Sequence, residues 1–396
     1  MTPTGSAGSG SGCLVANPCS LESATDADEL NPGDTISLAA GSYVFSTDIT
    51  IGTAGVTLVG AGADKTYLSS TASSGVPLTL AEATVVASDF SITAVNAGPT
   101  IRVSAGTMDR VAAWNTSAQT GTVGCQAVGS IGQATISNSI CGRSSAGSGG
   151  GLIAGLEASG AATIVVRNST VIGGDGSWAF ALLAAPSTGP INLTVSNTIM
   201  SGQSYDVVTQ FASASSSIAL SIDHSNYSTF TDVGDPTGFP APGTATNQTA
   251  EPVFAETSFY TQASNSPTID AGQTYVGVGL KDLLGAQRNQ GAAIDIGASE
   301  FASPIVNPPV DTTAPIVTIT KRPKSGTSKK ARVSFNANEP ATFQCKLDKA
   351  RTWKSCSSPW KKTVKVGKHK LRIRATDTAG NVGASKTVSW TVKKKR

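Results

Sequence analysis

Aromatic and charged residues are scarce in this chain of 396 residues, at 6% and 14% of the total. Because large aromatic side chains fill much of an ordinary globular core, the interior here must be built from small and β-branched groups. No uninterrupted apolar run approaches the ~18 residues that a membrane helix needs. We therefore expect no membrane span.

Sequence signals of common enzyme and metal sites are also missing. With only two histidines and no CxxC pair, the chain has no recognisable zinc cluster, and we predict no metal site. It contains no Gly-x-Ser-x-Gly elbow, phosphate-binding loop or dinucleotide fingerprint. These absences argue against several large enzyme classes, and no cofactor is predicted unless the calcium-dependent alternative considered below applies.

Glycine is abundant, with 42 residues, alongside Ser, Thr, Ala and Val. A phrase made of such residues around a central polar residue returns four times, at Ala134–Cys141, Ile164–Val171, Leu193–Met200 and Leu220–Tyr227. The central residues are 30, 29 and 27 positions apart and are Asn138, Asn168, Asn197 and His224. A repeat length of this size that varies by a few residues is typical of the stacked coils of a solenoid.

Each phrase has the properties of one coil. Apolar and polar residues alternate through Thr135, Ile136 and Ser137, as in a short strand with one buried face. Asn suits the sharp bend that follows because it tolerates left-handed backbone angles. We therefore predict an all-β chain whose main part is a right-handed parallel β-helix, a pectate-lyase-like solenoid in which each strand pairs with the coils above and below.

Charge divides the chain into two parts. Residues 1–310 carry 7 basic and 22 acidic residues, a net charge of −15, whereas residues 311–396 carry 22 and 4, a net charge of +18. Prolines between Pro304 and Pro315 favour an extended linker. The predicted organisation is a flexible Gly/Ser leader at 1–12, the β-helix at 13–302, the Pro-rich linker at 303–315 and a basic β-sandwich at 316–396.

Two local predictions accompany this organisation. Ser20 can cap a short helix over Leu21 to Leu30, with Glu22 in its first turn, and this helix would cover the open end of the solenoid. The segment from Ser144 to Gly151 is so rich in Gly and Ser that we predict a loop on the solenoid wall.

The six cysteines form three local pairs by position: Cys13 with Cys19, Cys125 with Cys141, and Cys345 with Cys356. Fifteen connectivities are possible in principle, and we prefer this one because the separations are short. Such usage predicts an oxidising, extracellular or cell-surface setting. The first residues have neither the basic start nor the apolar run of a signal peptide, so we expect either a start internal to a longer product, which we favour, or another export route.

The solenoid region resembles known secreted proteins. Asn31–Tyr43 looks like the first coil of bacterial secreted right-handed β-helix proteins. Ser266–Gly272, Asp282–Arg288 and Asp295–Phe301 resemble the closing coils of the group called choice-of-anchor β-helix proteins. The resemblance implies the fold and secretion, but the group has no uniform activity.

The C-terminal region is similar to bacterial immunoglobulin-like repeats of actinobacterial surface proteins. The similarity lies in Asp311–Pro315, Asn338–Cys345, Cys356–Pro359 and Ala375–Asn381. Independently, apolar Leu371, Ile373 and Ala375 alternate with basic residues, as in the half-buried antiparallel strands of a sandwich.

Two sets of residues are candidates for catalysis. Asp223 and His224 resemble the Ile-Asp-His element of some β-helix pectate lyases, which implies cleavage of an acidic polysaccharide with calcium. The acids needed for calcium, Asp206, Asp223, Asp232 and Asp235, are however spread along the chain, and His224 occupies the bend of the repeat. Asp270, Asp295 and Glu300 offer a carboxylate set for glycoside hydrolysis, but we favour a structural role in tight turns, with Arg288 as an ion partner.

The basic module is the preferred binding site. Its predicted contacts to an anionic polymer are Lys361, Lys362, Lys365, Lys368, Lys370, Arg372 and Arg374. Such charge density destabilises a small domain through self-repulsion, so we expect an anionic partner to bind it. The alternative is a charged, solvated surface that binds nothing. Trp353 and Trp360 nearby either stack on sugars or pack in the core.

The predicted function is that of a secreted or cell-surface, non-catalytic glycan-binding or adhesive protein, whose basic module tethers it to anionic envelope polymers. The alternatives are a polysaccharide lyase or glycoside hydrolase, and a structural surface spacer. The expected partner is a polysaccharide or anionic cell-envelope polymer rather than nucleic acid, and we expect a monomer.

Overall fold

The computed structural model describes residues 20–26, 28, 30–129, 132–144, 149–155, 162–174, 178–184, 190–211, 218–233, 240–275, 279–302 and 312–395. The chain divides into two compact units, Met1–Ile305 and Val306–Arg396. The predicted leader at 1–12 and most of the predicted linker lie outside the described residues. No helix within the described ranges has the length and apolar character to cross a membrane.

The first unit is built almost wholly of short strands. Its elements are α1 (Leu21–Ala24), β1 (Thr35–Ser37), β2 (Gly41–Phe45), β3 (Ile49–Ile51), β4 (Thr57–Val59), β5 (Thr66–Ser70), β6 (Leu78–Leu80), β7 (Val86–Ala94), β8 (Pro99–Val103), β9 (Gly106–Asn115), β10 (Thr122–Ala127), β11 (Gln133–Ser137), β12 (Ile140–Arg143), β13 (Gly149–Gly155), β14 (Ala162–Arg167), β15 (Thr170–Ile172), β16 (Trp178–Ala184), β17 (Ile191–Ser196), β18 (Ile199–Ser201), β19 (Tyr205–Phe211), β20 (Ile218–Asp223) and β21 (Phe230–Val233).

These strands pair in parallel into three ladders. The first runs β1-β4-β7-β9-β11-β14-β17-β20 and the third runs β3-β6-β8-β10-β13-β16-β19-β21. The second consists of β2, β5, the later halves of β7 and β9, and β12, β15 and β18. The predicted parallel solenoid is confirmed.

A column of buried side chains fills the interior behind the first ladder. Its members face one another from coil to coil and are Ile36, Leu58, Ala87, Met108, Ile136, Val166, Val195 and Ile222. The β-branched and small residues that replace aromatics in the sequence therefore form a continuous core, as expected for a solenoid.

The predicted bend residues occupy the corner between the first and second ladders. Asn138, Asn168 and Asn197 have φ of +49°, +48° and +47°, and His224 has φ of +43°. Side chains also connect neighbouring coils here, since Asn197 Nδ2 donates to Asn168 Oδ1 at 2.9 Å. The prediction that Asn accommodates a left-handed bend is confirmed.

The N-terminal helix is shorter than predicted. Ser20 caps it, accepting a hydrogen bond from the Ser23 amide, but the helix ends at Ala24 instead of Leu30. The Thr25 hydroxyl donates to the Leu21 carbonyl at 2.8 Å, and such side-chain bonds to backbone compete with helix propagation. Buried Leu21 nevertheless joins the solenoid core.

The predicted Gly/Ser loop at 144–151 is partly wrong. Gly149, Gly150 and Gly151 belong to strand β13, which pairs with β10 and β16. A Cβ on Gly150 would lie 2.1 Å from the Trp178 ring, and one on Gly151 would lie 2.6 Å from the Cys141 carbonyl. Glycine is required here because neighbouring coils approach the backbone closely.

The predicted closing coils are wrong. Residues 240–275 and 279–302 contain turns and isolated bridges but no strand. Gln248 extends the second ladder by one further step through a parallel bridge to Asn226. The residues that follow, 251–275 and 279–302, are here called the covering segment and lie on the outside of the second ladder and its corner. Backbone groups of Gln273 exchange two hydrogen bonds with the Asn197 side chain, at 2.8 and 2.9 Å, and Arg288 Nε donates to Asn138 Oδ1 at 2.7 Å.

An apolar column on the outer side of the second ladder explains why the segment lies there. Ala112, Ile140 and Ile199 point away from the solenoid interior, yet all are fully buried. Thr170 lies between Ile140 and Ile199 in this column and is buried with its Oγ1 accepting the Ala298 amide. Leu283 and Ala298 of the covering segment pack with Ala112 and Ile140. The segment therefore seals a second, external core.

The second unit contains seven antiparallel strands among its described residues. They are β22 (Val317–Lys321), β23 (Lys330–Ala337), β24 (Ala341–Leu347), β25 (Lys354–Cys356), β26 (Trp360–Thr363), β27 (Gly367–Asp377) and β28 (Lys386–Val392). They form two sheets, β22-β23-β26 and β25-β24-β27-β28. Val333, Phe335, Ile373 and Trp390 are buried in a shared core, which is consistent with the predicted sandwich.

Two predicted disulfides are present. Cys125 and Cys141 are bonded within the solenoid, and Cys345 and Cys356 are bonded within the second unit. The predicted Cys13–Cys19 pair lies outside the described residues.

Candidate functional site

A row of cations lies on one face of the second unit. Lys368, Lys370, Arg372 and Arg374 alternate along β27 with half-buried His369 and fully buried Leu371 and Ile373, so they share the face turned away from the core. Lys346 on β24 pairs with Arg372 and joins them. These five residues are here called the cation column. Sequence reasoning missed Lys346, although its place beside buried Cys345 in an alternating strand is a usable signal.

Trp353 and Gln344 order one end of the cation column. Arg374 donates from Nε and Nη2 to Gln344 Oε1, at 2.9 and 2.7 Å. Its guanidinium carbon lies 4.6 Å from the centre of the Trp353 ring, and Lys346 Nζ lies 5.8 Å from it. Cation–π contact with Trp353 therefore holds two cations of the column side by side.

The positive charge of this unit has almost no internal compensation. Among the described residues of 312–395, the ion pair that forms joins His369 Nδ1 to Asp348 Oδ2 at 2.9 Å. The other oxygen of Asp348 accepts the Lys370 amide at 2.8 Å. Asp348 is thus engaged by His369 and by backbone, and the lysines and arginines of the described part of this unit form no ion pair.

His369 adds to the positive charge. Its second ring nitrogen, Nε2, lies 2.8 Å from the Lys365 carbonyl oxygen. Both ring nitrogens therefore face hydrogen-bond acceptors. Both hydrogen bonds form only when both nitrogens carry protons. The hydrogen bond to Asp348 and then that to the Lys365 carbonyl raise the pKa of His369.

Three of the predicted binding residues lie apart from the cation column. Lys361 and Lys362 are on β26, in the other sheet, where Lys361 pairs with Arg332. Lys365 is exposed in the connection between β26 and β27. The structure therefore brings four of the seven predicted residues into one row, and whether any of the seven binds a polymer stays a prediction.

Lys361 and Lys362 instead border a groove between the sheet edges β25 and β26. The groove has a volume of about 650 Å³. The Cys345–Cys356 disulfide, Leu371 and Trp360 form its apolar lining. Trp360 is half-buried and contacts Trp390 edge to face, with ring centres 6.4 Å apart.

On the solenoid, Asp223 and His224 lie at the last described Asn-type bend. The Tyr275 hydroxyl is 3.4 Å from His224 Nδ1, and the His224 amide donates to Thr246 Oγ1 at 3.0 Å. Burial and the nearby Asp223 carboxylate raise the pKa of Tyr275. His224 is thus contacted by Tyr275 through its ring and by Thr246 through its backbone amide.

The acids considered for calcium do not converge in the described structure. The Asp206 carboxylate accepts backbone N–H groups from Gly202, Ser228 and Thr229. The Asp232 side chain and Asp235 lie outside what is described. Across the described ranges, no three His, Cys, Asp or Glu side chains are grouped so as to hold a metal ion.

The second carboxylate set lies in the covering segment and binds backbone amides. Asp295 accepts from the amides of Asp270 and Phe301, and Glu300 accepts from the Asp295 amide. Arg288 is buried beside them, with Nη1 3.7 Å from a Glu300 oxygen. Burial, and secondarily Asp295, raise the pKa of Glu300 to about 7. This arrangement matches the predicted structural role.

Comparisons with known proteins add little to this picture. No family model matches the chain, and no curated protein matches it significantly. A solved structure of Clostridium thermocellum CbhA fibronectin(III)-like modules is 18% identical, with a TM-score of 0.18, over 20% of this chain and 100% of that one. Geobacillus virus E2 ORF18 is 10% identical, with a TM-score of 0.20, over 93% of this chain and 70% of that one.

Proposed function

We propose that the protein is a secreted or cell-surface, non-catalytic glycan-binding or adhesive protein, whose basic C-terminal unit tethers it to an anionic polymer of the cell envelope. The observation that carries the proposal is the cation column, a row of positive charges on one sheet face without a carboxylate partner among the described residues. Holding such charges together costs stability through self-repulsion, and a polyanion removes that cost.

The geometry favours a chain polymer over a single small anion. Residues two apart along a strand are separated by roughly 7 Å, so Lys368, Lys370, Arg372 and Arg374 present charges at regular intervals along β27. An extended polyanion contacts several of them at once, and each contact adds to the total affinity.

The cysteines and the resemblance of the C-terminal region support an extracellular setting. Two disulfides are formed within the described chain, and disulfides persist mainly in oxidising compartments. The similarity of the C-terminal region to bacterial immunoglobulin-like repeats of surface proteins supports a cell-surface location. The solenoid then supplies a long, regular wall suited to glycan contact or adhesion.

Binding of the full-length protein to immobilised polyanions tests the proposal. We expect the wild type to bind polygalacturonate and a polyphosphate-type wall polymer at low salt and to lose affinity steeply as salt rises. The triple variant Lys368→Gln, Lys370→Gln, Arg372→Gln should bind at least tenfold more weakly, since each charged contact contributes about 1 kcal/mol or more.

A matched variant controls for net charge. Lys321→Gln, Lys324→Gln and Lys329→Gln remove the same number of charges outside the column. If both triple variants lose affinity equally, or if the wild type binds no polyanion at low salt, the tethering function is refuted.

A further inference from the structure

The groove between β25 and β26 has features that the cation column lacks. Its lining combines the half-buried Trp360 indole and the disulfide with three hydroxyl side chains, Thr352, Ser355 and Ser357. Three lysines border it: Lys354, Lys361 and Lys362. Among the described residues, none that lines it carries a carboxylate.

Lys362 lies on the core-facing side of its strand. Trp360 pairs with buried Val333 and Lys362 pairs with buried Ala331, so both side chains leave β26 on the side facing the other sheet. Lys362 is nevertheless exposed and borders the groove that Trp360 also lines, which places it at the mouth of the groove. A cation and an aromatic surface thus share one opening.

This combination is the chemistry that an acidic sugar needs. A pyranose ring has an apolar face that packs on an aromatic surface, hydroxyl groups that bond to Ser and Thr, and in a uronic acid a carboxylate that pairs with lysine. A groove of about 650 Å³ is within the range of sites for small organic ligands. The disulfide connects β24 to β25 and fixes one wall, so little ordering is required on binding.

We propose that this groove is a saccharide subsite that binds a uronic acid residue of the polymer, with Trp360 under the sugar ring, Lys362 on its carboxylate and Lys361 adding positive charge at the rim from the other face of β26. The inference rests on the proposed function and identifies its ligand class. The cation column supplies affinity for any polyanion, and the groove selects an acidic polysaccharide over a polyphosphate or a nucleic acid.

Titration of the full-length protein with three probes tests the inference: a short oligogalacturonate, the matched neutral oligogalactose and inorganic polyphosphate. We expect the double variant Lys361→Gln, Lys362→Gln to bind oligogalacturonate roughly tenfold more weakly or worse and polyphosphate less than about twofold more weakly. Lys393→Gln, Lys394→Gln is the matched control and should leave both affinities nearly unchanged.

Indole resonances provide a second measurement that does not depend on a folded variant. Oligogalacturonate should shift the Trp360 indole N–H signal of the wild type and leave those of Trp114 and Trp178 in place. Trp360→Phe should weaken oligogalacturonate binding while leaving polyphosphate binding nearly unchanged.

The outcomes separate this inference from the proposed function. If no polyanion binds at low salt, the tethering function itself fails. If polyanions bind but the Lys361/Lys362 variant loses affinity for all of them equally, or the Trp360 signal does not move, the cation column stands and the subsite is refuted. If that variant only aggregates more readily, Lys362 protects the edge strand from pairing and the subsite is likewise refuted.

Discussion

Asn197 has two structural roles, one through its backbone and one through its side chain. Its backbone adopts φ of +47°, which turns the chain from the first ladder into the second. Its amide group bonds Asn168 in the preceding coil and the Gln273 backbone in the covering segment. A residue at this position must therefore tolerate left-handed geometry and also satisfy buried backbone groups.

Substitution separates the two roles. Asn197→Gly keeps the backbone freedom and loses the hydrogen bonds, whereas Asn197→Ala loses both. We expect Asn197→Ala to reduce the free energy of unfolding by roughly 2–4 kcal/mol, and Asn197→Gly by about 1 kcal/mol less. Chemical denaturation of the two variants measures the difference, and equal losses would show that backbone strain is unimportant at this bend.

Glu300 should make stability depend on pH. Its folded pKa of about 7 lies above the ordinary value of 4.5, so the folded state holds its proton more strongly than the unfolded state. The resulting stabilisation is complete below the unfolded pKa and is lost as pH rises through 7, up to about 3 kcal/mol in all. Thermal unfolding between pH 5 and 8 should follow this fall.

Glu300→Gln isolates the contribution of this one carboxyl. The variant should show a flatter dependence of unfolding temperature on pH than the wild type, while Asp295, Asp282 and His369, whose pKa values are also raised, keep their own contributions. An unchanged pH profile would mean that Glu300 stays ionised, with Arg288 balancing its charge.

At the scale of elements, the packing of the covering segment on the second ladder contributes to the stability of the solenoid. Leu283 is 1% exposed and packs on Ala112 and Ile140. Leu283→Ala should cost roughly 2–4 kcal/mol, because it removes buried methyl groups and leaves a cavity.

Hydrogen exchange should show which part of the solenoid loses stability when Leu283 is replaced. In Leu283→Ala, the amides of Gly297 and Ala298, which donate to the Asn197 carbonyl and to Thr170 Oγ1, should exchange faster. Amides of the interior strand β4 should change less. Uniform acceleration across the solenoid would instead show that the covering segment and the coils open as one unit.

The sequence was sufficient to predict the coils but not the covering segment. Asn138, Asn168 and Asn197 recur at a nearly fixed interval, and bends that recur in this way indicate the stacked coils of a solenoid. Arg288 bonds Asn138 at a separation of 150 residues, and no local pattern reports such a contact. The apolar column at Ile140 and Ile199 was a usable signal, since outward-facing positions of an exposed strand are normally polar.

The same limit applies to the candidate site. Alternation along β27 predicted that Lys368 to Arg374 share one face, and the structure agrees. Lys361 and Lys362 were assigned to the same surface, because sequence gives no information on which sheet β26 joins. The composition around Gly149 to Gly151 predicts a loop, because composition does not show how closely a neighbouring coil approaches.

For the whole molecule, two separate cores predict two unfolding transitions. The solenoid core and the C-terminal core are distinct clusters of buried residues. Since residues 311–396 carry a net charge of +18, screening by about 0.2 M salt should raise the unfolding temperature of the C-terminal unit. Calorimetry at low and moderate salt measures this shift.

Charge removal provides the complementary measurement. Lys368→Gln with Lys370→Gln should raise the C-terminal transition at low salt and reduce its response to added salt, with the solenoid transition unaffected. A lower transition temperature in this variant would show that the lysines stabilise the fold, contrary to the self-repulsion on which the tethering proposal depends.

The position of the covering segment in the chain has a consequence for biosynthesis. Domains generally fold from the N-terminus as the ribosome proceeds, yet Ile140 and Ile199 receive Leu283, Gly297 and Ala298 from residues made long afterwards. Coils that fold before the covering segment is available therefore expose this apolar column to solvent. Premature termination before residue 283 would leave that column permanently bare and open to chaperones, proteases or aggregation.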